Sequence, residues 1–308
     1  MIEVKRKIII GVDHGYGNIK TANHCFRTAI DGYDKEPVFT KNMLVFDGRY
    51  YLIGEGHKEF IGDKSNDNDF YLLTLAAIAT ELRDKGMTEA DVIIAAGLPL
   101  TWTSGQKRAL RAYLLKHGNV SFIYQKVKYS ITISDVLVYP QGYAAIAPFS
   151  YRMKGVNLIA DIGNGTMNVL YMVNGVPQAG KMFTEKLGTY QFTLSAREMY
   201  MRKTHTELND AVIDEFIENG STSNLSGENL ALIKEAADRY VDRIFKALRE
   251  HGYDESSMML YFVGGGAHLV ENNRTLDPER VKVIDDICAN AKGYEYMARL
   301  QLTSGETA

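Results

Sequence analysis

The stretch IIIGVDHGYGNIK, residues 8–20, reappears in outline as NLIADIGNGTMN, residues 157–168. In both, an apolar run typical of a buried strand ends in an aspartate, followed by a variable residue, a glycine, a second variable residue and a second glycine. The aligned aspartates, Asp13 and Asp161, are 148 residues apart (the difference between 161 and 13), close to half of the 308-residue chain. Because solenoid repeats are only about 20–50 residues long, the pattern predicts two related halves.

The composition is that of a folded, nearly neutral globular protein. Hydrophobic residues make up 45% of the chain and charged residues 24%, and 35 basic against 38 acidic residues give a net charge of -3. Single hydrophobic cores stop growing at roughly 250–300 residues, so the length favours two domains of roughly 150 residues. The charge balance argues against direct binding of nucleic acid or of an anionic membrane. Any contact with DNA would need a basic partner protein.

The cysteines and the N-terminus indicate the cellular compartment. Cys25 and Cys288 match no zinc or redox spacing, and we predict that both are buried thiols in a reducing compartment. The start of the chain resembles a signal peptide, but its apolar run ends at Asp13 after about six residues, short of the roughly 7–15 required. No run approaches the roughly 20 apolar residues of a membrane-spanning helix. We therefore expect a cytoplasmic protein without membrane contact.

Apolar periodicity and turn residues predict the order of the other elements. Residues 36–56 alternate around Asp47-Gly48 and predict a small β-hairpin insertion. We predict helices at 69–85, 104–116, 189–203, 208–218 and 228–250, strands at 91–96, 121–129, 132–139 and 258–263, and a last helix from about 278 to 300 that is broken near Gly293.

The repeated aspartate-glycine turn suggests phosphate chemistry. Glycines let backbone N–H groups approach a phosphate closely, and an adjacent carboxylate can hold hydrated Mg²⁺. A single Asp-X-Gly is a common turn, but two copies in equivalent places, with Gly264-Gly265-Gly266 after a later strand, are much stronger evidence. The chain contains neither a Walker P-loop nor the G-x-G-x-x-G of a dinucleotide fold. Both of those nucleotide-binding classes are therefore excluded.

Six motifs, in order along almost the whole chain, resemble the ParM group of bacterial actin-like proteins, within the superfamily of actin, DnaK-type chaperones and sugar kinases. DHGYGNIK (13–20) and DIGNGT (161–166) resemble its two phosphate loops, and YFVGGGAHLV (261–270) resembles its adenosine loop. VYPQGYAA (138–145), NAKGY (290–294) and VIIAAGLPL (92–100) resemble the two interdomain connectors and a strand end. The resemblance implies an α/β actin-like ATPase (ribonuclease-H-like) fold, with two related domains around a nucleotide cleft.

The resemblance also implies a role for individual residues. Asp13 and Asp161 would hold Mg²⁺ through water, and Asp161 would act together with Gln141 in catalysis. The β- and γ-phosphates of ATP would be wrapped by Gly15, Gly17, Asn18, Gly163, Asn164, Gly165 and Thr166. Lys20 would reach a phosphate oxygen, or it is a solvated lysine at a strand end. Gly264, Gly265 and Gly266 would let the adenosine lie against bare backbone, and ATP rather than GTP is the nucleotide that the resemblance implies.

Gln141 is the residue that affects the mechanism. It stands where ParM proteins usually carry glutamate and actins carry glutamine. A glutamine amide can position a water in line with the γ-phosphate, as phosphoryl transfer needs an oriented nucleophile more than a strong base. The alternative is that Gln141 caps the helix after Pro140. The seven histidines show no i,i+4 pair, so none is assigned to a metal site.

The predicted organisation follows from these motifs. Residues 1–150 would form the first domain, with a small insertion at about 31–70 and the C-terminal helix from about 291 to 308; residues 151–290 would form the second, with a small subdomain at about 200–230. The resemblance implies an ATPase that assembles into filaments of its own subunits and segregates plasmid DNA through a DNA-binding adaptor. Three alternatives stay open: a soluble kinase or phosphatase, a chaperone ATPase, and a cytoskeletal filament unrelated to plasmids.

Overall fold

The computed structural model describes residues 7–55, 68–100 and 103–305. The chain divides into two compact units, one formed by Met1–Pro148 with Cys288–Ala308 and the other by Phe149–Ile287. Residues 56–67 of the predicted insertion, and residues 306–308 of the predicted C-terminal helix, lie outside the described residues.

The first unit is built on a nine-stranded sheet. Its strands are β1 (Lys7–His14), β2 (Asn18–Lys20), β3 (Cys25–Arg27), β4 (Ile30–Tyr33), β5 (Met43–Phe46), β6 (Arg49–Ile53), β7 (Glu89–Leu98), β8 (Asn119–Tyr124) and β9 (Val127–Pro140). Their order across the sheet is β3-β2-β1-β7-β9-β8-β5-β6-β4, with β1, β7 and β9 parallel. The predicted hairpin around Asp47-Gly48 is confirmed: it joins β5 to β6, and both turn residues have positive φ.

The helices of this unit are α1 (Asn68–Asp84), α2 (Thr103–Leu115), α3 (Tyr143–Ile146) and α8 (Ala289–Ser304). A short 3-10 helix, Ala147–Arg152, begins in this unit and continues into the second. Every residue of α1 from Phe70 to Leu82 is buried. A helix that is mostly apolar around its whole circumference lies inside a core, and α1 does so although it also buries Thr74, Thr80 and Glu81.

One charged side chain is buried within α1. Glu81 is 1% exposed, and its Oε1 accepts hydrogen bonds from the Thr21 hydroxyl at 2.6 Å and from the backbone N–H of Asn23 at 3.0 Å. Burial by itself raises the pKa of Glu81, but these hydrogen bonds and the nearby Lys85 ammonium lower it below the usual value. The turn between β2 and β3 is thereby attached to α1.

The second unit contains a five-stranded sheet covered by helices. Its strands are β10 (Val156–Ile162), β11 (Met167–Val173), β12 (Val176–Glu185), β13 (Met259–Val263) and β14 (Val281–Val283), and its helices are α4 (Thr189–Thr204), α5 (Asp210–Asn219), α6 (Gly227–Glu250) and α7 (Ala267–Asn273). The strand order is β12-β11-β10-β13-β14. The amphipathic α6 buries Ile233, Ala237, Tyr240, Ile244 and Leu248 at three- and four-residue spacing, as its sequence predicts.

The two sheets share a topology. In each, three antiparallel strands (β3-β2-β1 and β12-β11-β10) are followed by two parallel ones (β7-β9 and β13-β14). The 148-residue repeat thus corresponds to a repeated arrangement of strands. The prediction of two related halves is confirmed.

Two predicted boundaries are wrong. The turn between β8 and β9 lies at Gln125-Lys126, both with positive φ, and not near residue 130, because neither residue is a usual turn-former and the apolar pattern continues across them. The last helix begins at Ala289, after the short strand β14, and Gly293 lies inside it without a break.

Glycines allow α8 to approach its neighbours closely. A Cβ on Gly293 would lie 1.9 Å from the carbonyl oxygen of Ala144 in α3, and one on Gly11 of β1 would lie 2.1 Å from the carbonyl oxygen of Ala291. The N–H of Gly11 also donates to Glu295 Oε1 at 3.1 Å. Gly293 therefore serves close contact between α8 and α3. It does not end α8, which continues through it.

The two cysteines differ from each other. Cys288 is buried as predicted, but Cys25 is exposed, because it lies in the short strand β3 at an edge of the sheet. Across the described ranges, no helix combines the length and the apolar character needed to cross a membrane.

Replacing Gly293 by alanine should lower the free energy of unfolding by about 1–3 kcal/mol, because the new methyl group forces α8 away from α3. The matched change is Gly105→Ala in α2, where a Cβ meets nothing within 4 Å. Gly105→Ala should instead raise the free energy of unfolding by about 0.5–1 kcal/mol. Urea denaturation of both variants measures the difference; equal effects of the two substitutions would contradict the close-packing role of Gly293.

Candidate functional site

The first aspartate hairpin is formed by β1 and β2. Asp13 stands near the end of β1, is 5% exposed, and lies directly opposite Lys20 in the antiparallel ladder. Between these two residues in the chain lie the predicted phosphate-loop residues Gly15, Gly17 and Asn18. Within the part of the chain that the structure describes, the Lys20 ammonium forms no ion pair with a carboxylate.

The loop of this hairpin is held from two sides. The Thr28 hydroxyl donates to the Gly15 carbonyl oxygen at 2.6 Å, and the Thr28 N–H donates to the Gly17 carbonyl oxygen at 2.9 Å. On the α1 side, His14 Nε2 lies 2.7 Å from Thr74 Oγ1, whose proton goes to the Phe70 carbonyl oxygen. His14 Nε2 is therefore the donor toward Thr74, and the loop is attached to α1.

Gln141 is hydrogen-bonded to the first aspartate. Its Nε2 donates to Asp13 Oδ1 at 2.9 Å, although the two residues are 128 positions apart. The backbone of Gln141 is fixed by its N–H, which donates to the Leu98 carbonyl oxygen at 2.9 Å. The N-cap of α3 is Gly142, with no side-chain capping bond. The alternative in which the Gln141 side chain caps this helix is therefore wrong.

The second hairpin, formed by β10 and β11, repeats the first. Asp161 is 6% exposed and lies opposite Asn168, and in each hairpin the aspartate and its partner are seven positions apart (13 to 20 and 161 to 168). The Gly163 N–H donates to the Thr166 carbonyl oxygen at 2.9 Å and closes the turn that contains Asn164 and Gly165. Asn168 replaces the lysine of the first hairpin, and its Oδ1 accepts a hydrogen bond from Thr184.

The start of α4 supports this second turn. The N–H groups of Thr189 and Tyr190 donate to the carbonyl oxygens of Gly163 and Asn164 at 3.0 and 2.9 Å. A Cβ on Gly188 would lie 2.1 Å from the Asn164 carbonyl oxygen, so only glycine permits this contact. The positive end of the α4 dipole consequently lies behind the turn, which favours an anion in front of it.

The three glycines after β13 have different surroundings. Gly264 has a φ of +85°, and a Cβ there would lie 2.5 Å from Asp161 Oδ1; on Gly266 a Cβ would lie 2.2 Å from Ile162 Cγ2. A Cβ on Gly265 would meet nothing within 4 Å. Packing against the end of β10 thus accounts for Gly264 and Gly266. Only Gly265 has room in front of it.

The second unit therefore brings its predicted residues together: Asp161, the turn at 163–166 and Gly264–Gly266 all meet at the end of β10. The first unit does the same with Asp13, its glycine turn, Lys20 and Gln141. Buried carboxylates beside turns of backbone N–H groups fit a hydrated Mg²⁺ and phosphate oxygens, since Mg²⁺ prefers oxygen ligands and retains water.

Sequence reasoning missed the residues that hold the loops in place. Thr28 and Thr74 contact the first turn from distant segments and carry no local motif. Asn290 lies in the predicted connector NAKGY, but its hydrogen bond from the Gly142 N–H at 2.9 Å was not predicted. Gly188-Thr189 had a readable signal, a glycine directly before a predicted helix.

Comparison with known proteins agrees with this geometry. Residues 11–143 match the family model described as the N-terminal domain of actin-like proteins. An archaeal actin homolog in complex with ADP superposes with a TM-score of 0.73 at 19% sequence identity, over 95% of this chain and 99% of that one. The protein has the actin-like fold.

Two further actin-like structures are similar to the chain. The apo ParM protein of psk41 has a TM-score of 0.71 at 15% identity, over 98% of this chain and 100% of that one. Bacillus thuringiensis ParM with ATP has a TM-score of 0.69 at 14% identity, over 97% and 100%. Among curated protein sequences, none matches significantly. At these identities the similarity establishes the fold.

Replacing Gly264 by alanine should destabilise the actin-like fold, because the left-handed backbone alone costs about 1–2 kcal/mol for a residue with a Cβ and the methyl group collides with Asp161. Gly265→Ala is the matched control and should change the free energy of unfolding by less than about 0.5 kcal/mol. Thermal unfolding followed by circular dichroism measures both. If Gly265→Ala proves as destabilising as Gly264→Ala, the distinction between these glycines does not hold.

Proposed function

We propose that this protein is a cytoplasmic ATPase that assembles into filaments when it binds ATP and disassembles after hydrolysis. The observation that carries the proposal is the pair of equivalent hairpins, each with a buried aspartate at the end of a central strand and a glycine turn beside it. Each turn would bind phosphate oxygens of the nucleotide. ATP binding would then favour the subunit conformation that is found in the polymer. Loss of the γ-phosphate would remove that preference.

In this proposal the nucleotide is held mainly by backbone. The turns at residues 14–17 and 163–166 would donate N–H groups to the β- and γ-phosphates, with the dipole of α4 adding to the attraction. Lys20 would contact a phosphate oxygen, and the space beside Gly265 would receive the adenosine. The solved relatives support a nucleotide of this kind, since one is an archaeal actin homolog with ADP and another is a ParM with ATP.

Asp13 and Asp161 would hold Mg²⁺ through water molecules. When bound, the ion would neutralise the negative charge of the phosphate groups. One oxygen of Asp13 already accepts a hydrogen bond from Gln141 at 2.9 Å, so the carboxylate is held in one orientation. This bond fixes the first unit's contribution before any nucleotide arrives.

Gln141 would orient the attacking water. Because Nε2 donates to Asp13, the amide oxygen Oε1 points the other way and is left to accept a hydrogen bond from water. An amide has no useful basicity, so its contribution is the position of the nucleophile and not removal of its proton.

The filament would act through other molecules. One solved relative is described as the Alp12 filament, with a TM-score of 0.66 at 18% identity over 96% of this chain, and it supports self-association as the output. A net charge of -3 leaves the surface without a general affinity for DNA. We propose that a basic DNA-binding adaptor connects the filament to plasmid DNA, which the filament segregates.

Assembly is tested by light scattering and pelleting with ATP and Mg²⁺, with ADP, and without nucleotide. We expect polymer with ATP, because only the γ-phosphate is proposed to stabilise the assembled conformation. ATP turnover by a persistent monomer would identify a soluble kinase or phosphatase instead. Polymer that forms equally well without nucleotide would contradict the coupling.

Gln141→Ala should retain ATP-dependent assembly and slow phosphate release at least about tenfold, because the water loses its orienting acceptor. Gln178→Ala is the matched control, since among the described residues the Gln178 side chain bonds only to the nearby Val176 carbonyl oxygen; it should release phosphate at the normal rate. The measurement is phosphate release in the polymer, normalised to pelleted protein. An unchanged rate in Gln141→Ala would remove the proposed role of this residue.

A further inference from the structure

A histidine and two carboxylates converge in the second unit, outside the predicted magnesium residues. His268 and Glu271 are three positions apart in α7, and Asp285 follows the end of β14. One ligand atom from each lies within 4.8 Å of the ligand atoms of the other two. Across the ranges that the structure describes, no other group of three or more histidine, cysteine, aspartate or glutamate side chains brings its ligand atoms this close together.

The convergence is not explained by bonding among the three side chains. His268 Nδ1 and Glu271 Oε2 are 3.8 Å apart, which is too far for a hydrogen bond. Neither Glu271 nor Asp285 forms an ion pair with a lysine or an arginine among the described residues. Within the described part of the chain, the two carboxylates thus lie near one imidazole and pair with no lysine or arginine.

Both segments that carry the three residues are fixed to the sheet. The Ile284 N–H donates to the Phe262 carbonyl oxygen at 2.9 Å, which attaches the residue before Asp285 to β13. The Gly266 N–H donates to the Ile162 carbonyl oxygen at 3.0 Å and fixes the start of α7. Because the backbones are held, small side-chain rotations are enough to bring the three donors onto one ion.

We propose that His268, Glu271 and Asp285 bind a divalent transition-metal ion such as Zn²⁺. With metal–ligand bonds of about 2.0–2.2 Å, neighbouring donors of a tetrahedral ion lie roughly 3.3 Å apart, so the observed separations need to shorten only modestly. One imidazole nitrogen and two carboxylate oxygens suit zinc or a similar ion, whereas Mg²⁺ favours oxygen alone. Water would fill the open position, since the two carboxylate residues are exposed.

The bound ion would join α7 to the end of β14. His268 follows Gly266 by two residues, so the site would also restrain the loop Gly264–Gly266. Metal binding requires no nucleotide and does not rest on the proposed function. A protein that fails to assemble with ATP would still be expected to bind the ion.

The test is equilibrium dialysis of the nucleotide-free protein against Zn²⁺ in a buffer without chelating components, with bound metal measured by elemental analysis. We expect the unmodified protein to bind one more zinc ion than His268→Ala or Glu271→Gln. His251→Ala is the matched control, because His251 Nε2 pairs with Glu185 Oε1 at 2.8 Å and, among the residues that the structure describes, His251 belongs to no three-ligand cluster. This control should bind as much zinc as the unmodified protein.

Thermal unfolding provides a second readout. Zinc at a large excess over its Kd should raise the Tm of the unmodified protein and of His251→Ala by a few degrees, and this increase should disappear in Glu271→Gln. Glu271→Gln keeps the size of the side chain. This variant should therefore fold, as circular dichroism can show, even if the His268→Ala variant does not. Equal zinc binding by the unmodified protein and Glu271→Gln, or loss of zinc in His251→Ala alone, would overturn the proposal.

Discussion

The burial of a carboxylate at the end of a central strand is the constraint on which both units depend. Asp13 and Asp161 are 5% and 6% exposed, and a charge in such a position must be compensated by hydrogen bonds or by a bound cation. Gln141 supplies one hydrogen bond to Asp13. The requirement explains why each aspartate is followed at once by a glycine turn, since the turn brings polar backbone groups to the same end of the sheet.

Each of the two turns is held in place by hydrogen bonds from neighbouring segments of its own unit. Thr28 and Thr74 fix the first turn, and the start of α4 fixes the second. The supports differ between the two units: the hydroxyl and N–H groups of Thr28 and the contact between His14 and Thr74 in the first, and backbone N–H groups at the start of α4 in the second. The two equivalent turns are therefore stabilised by different contacts.

Three glycines of the described residues have three distinct uses, and two of the three lie in the triple-glycine motif. Gly264 provides a left-handed backbone, Gly293 permits close contact between α8 and α3, and Gly265 leaves open space at the surface. The sequence pattern predicted an adenosine loop at the triple glycine, which stays a prediction, and it interpreted Gly293 wrongly as a helix breaker. A glycine inside a helix lacks only its Cβ, and whether that matters depends on what lies against it, which the local sequence does not contain.

The sequence by itself determined the repeated strand-hairpin pattern, the amphipathic α6, the hairpin at Asp47-Gly48 and the residues at the two aspartate turns, because each depends on neighbours within a few positions. Only the tertiary structure decided the bond from Gln141 to Asp13, the supports at Thr28 and Thr74, the turn at Gln125-Lys126 and the meeting of His268 with Asp285. These features join residues far apart in the chain, or oppose local preference. Their free energy comes from packing that exists only once the sheets have formed.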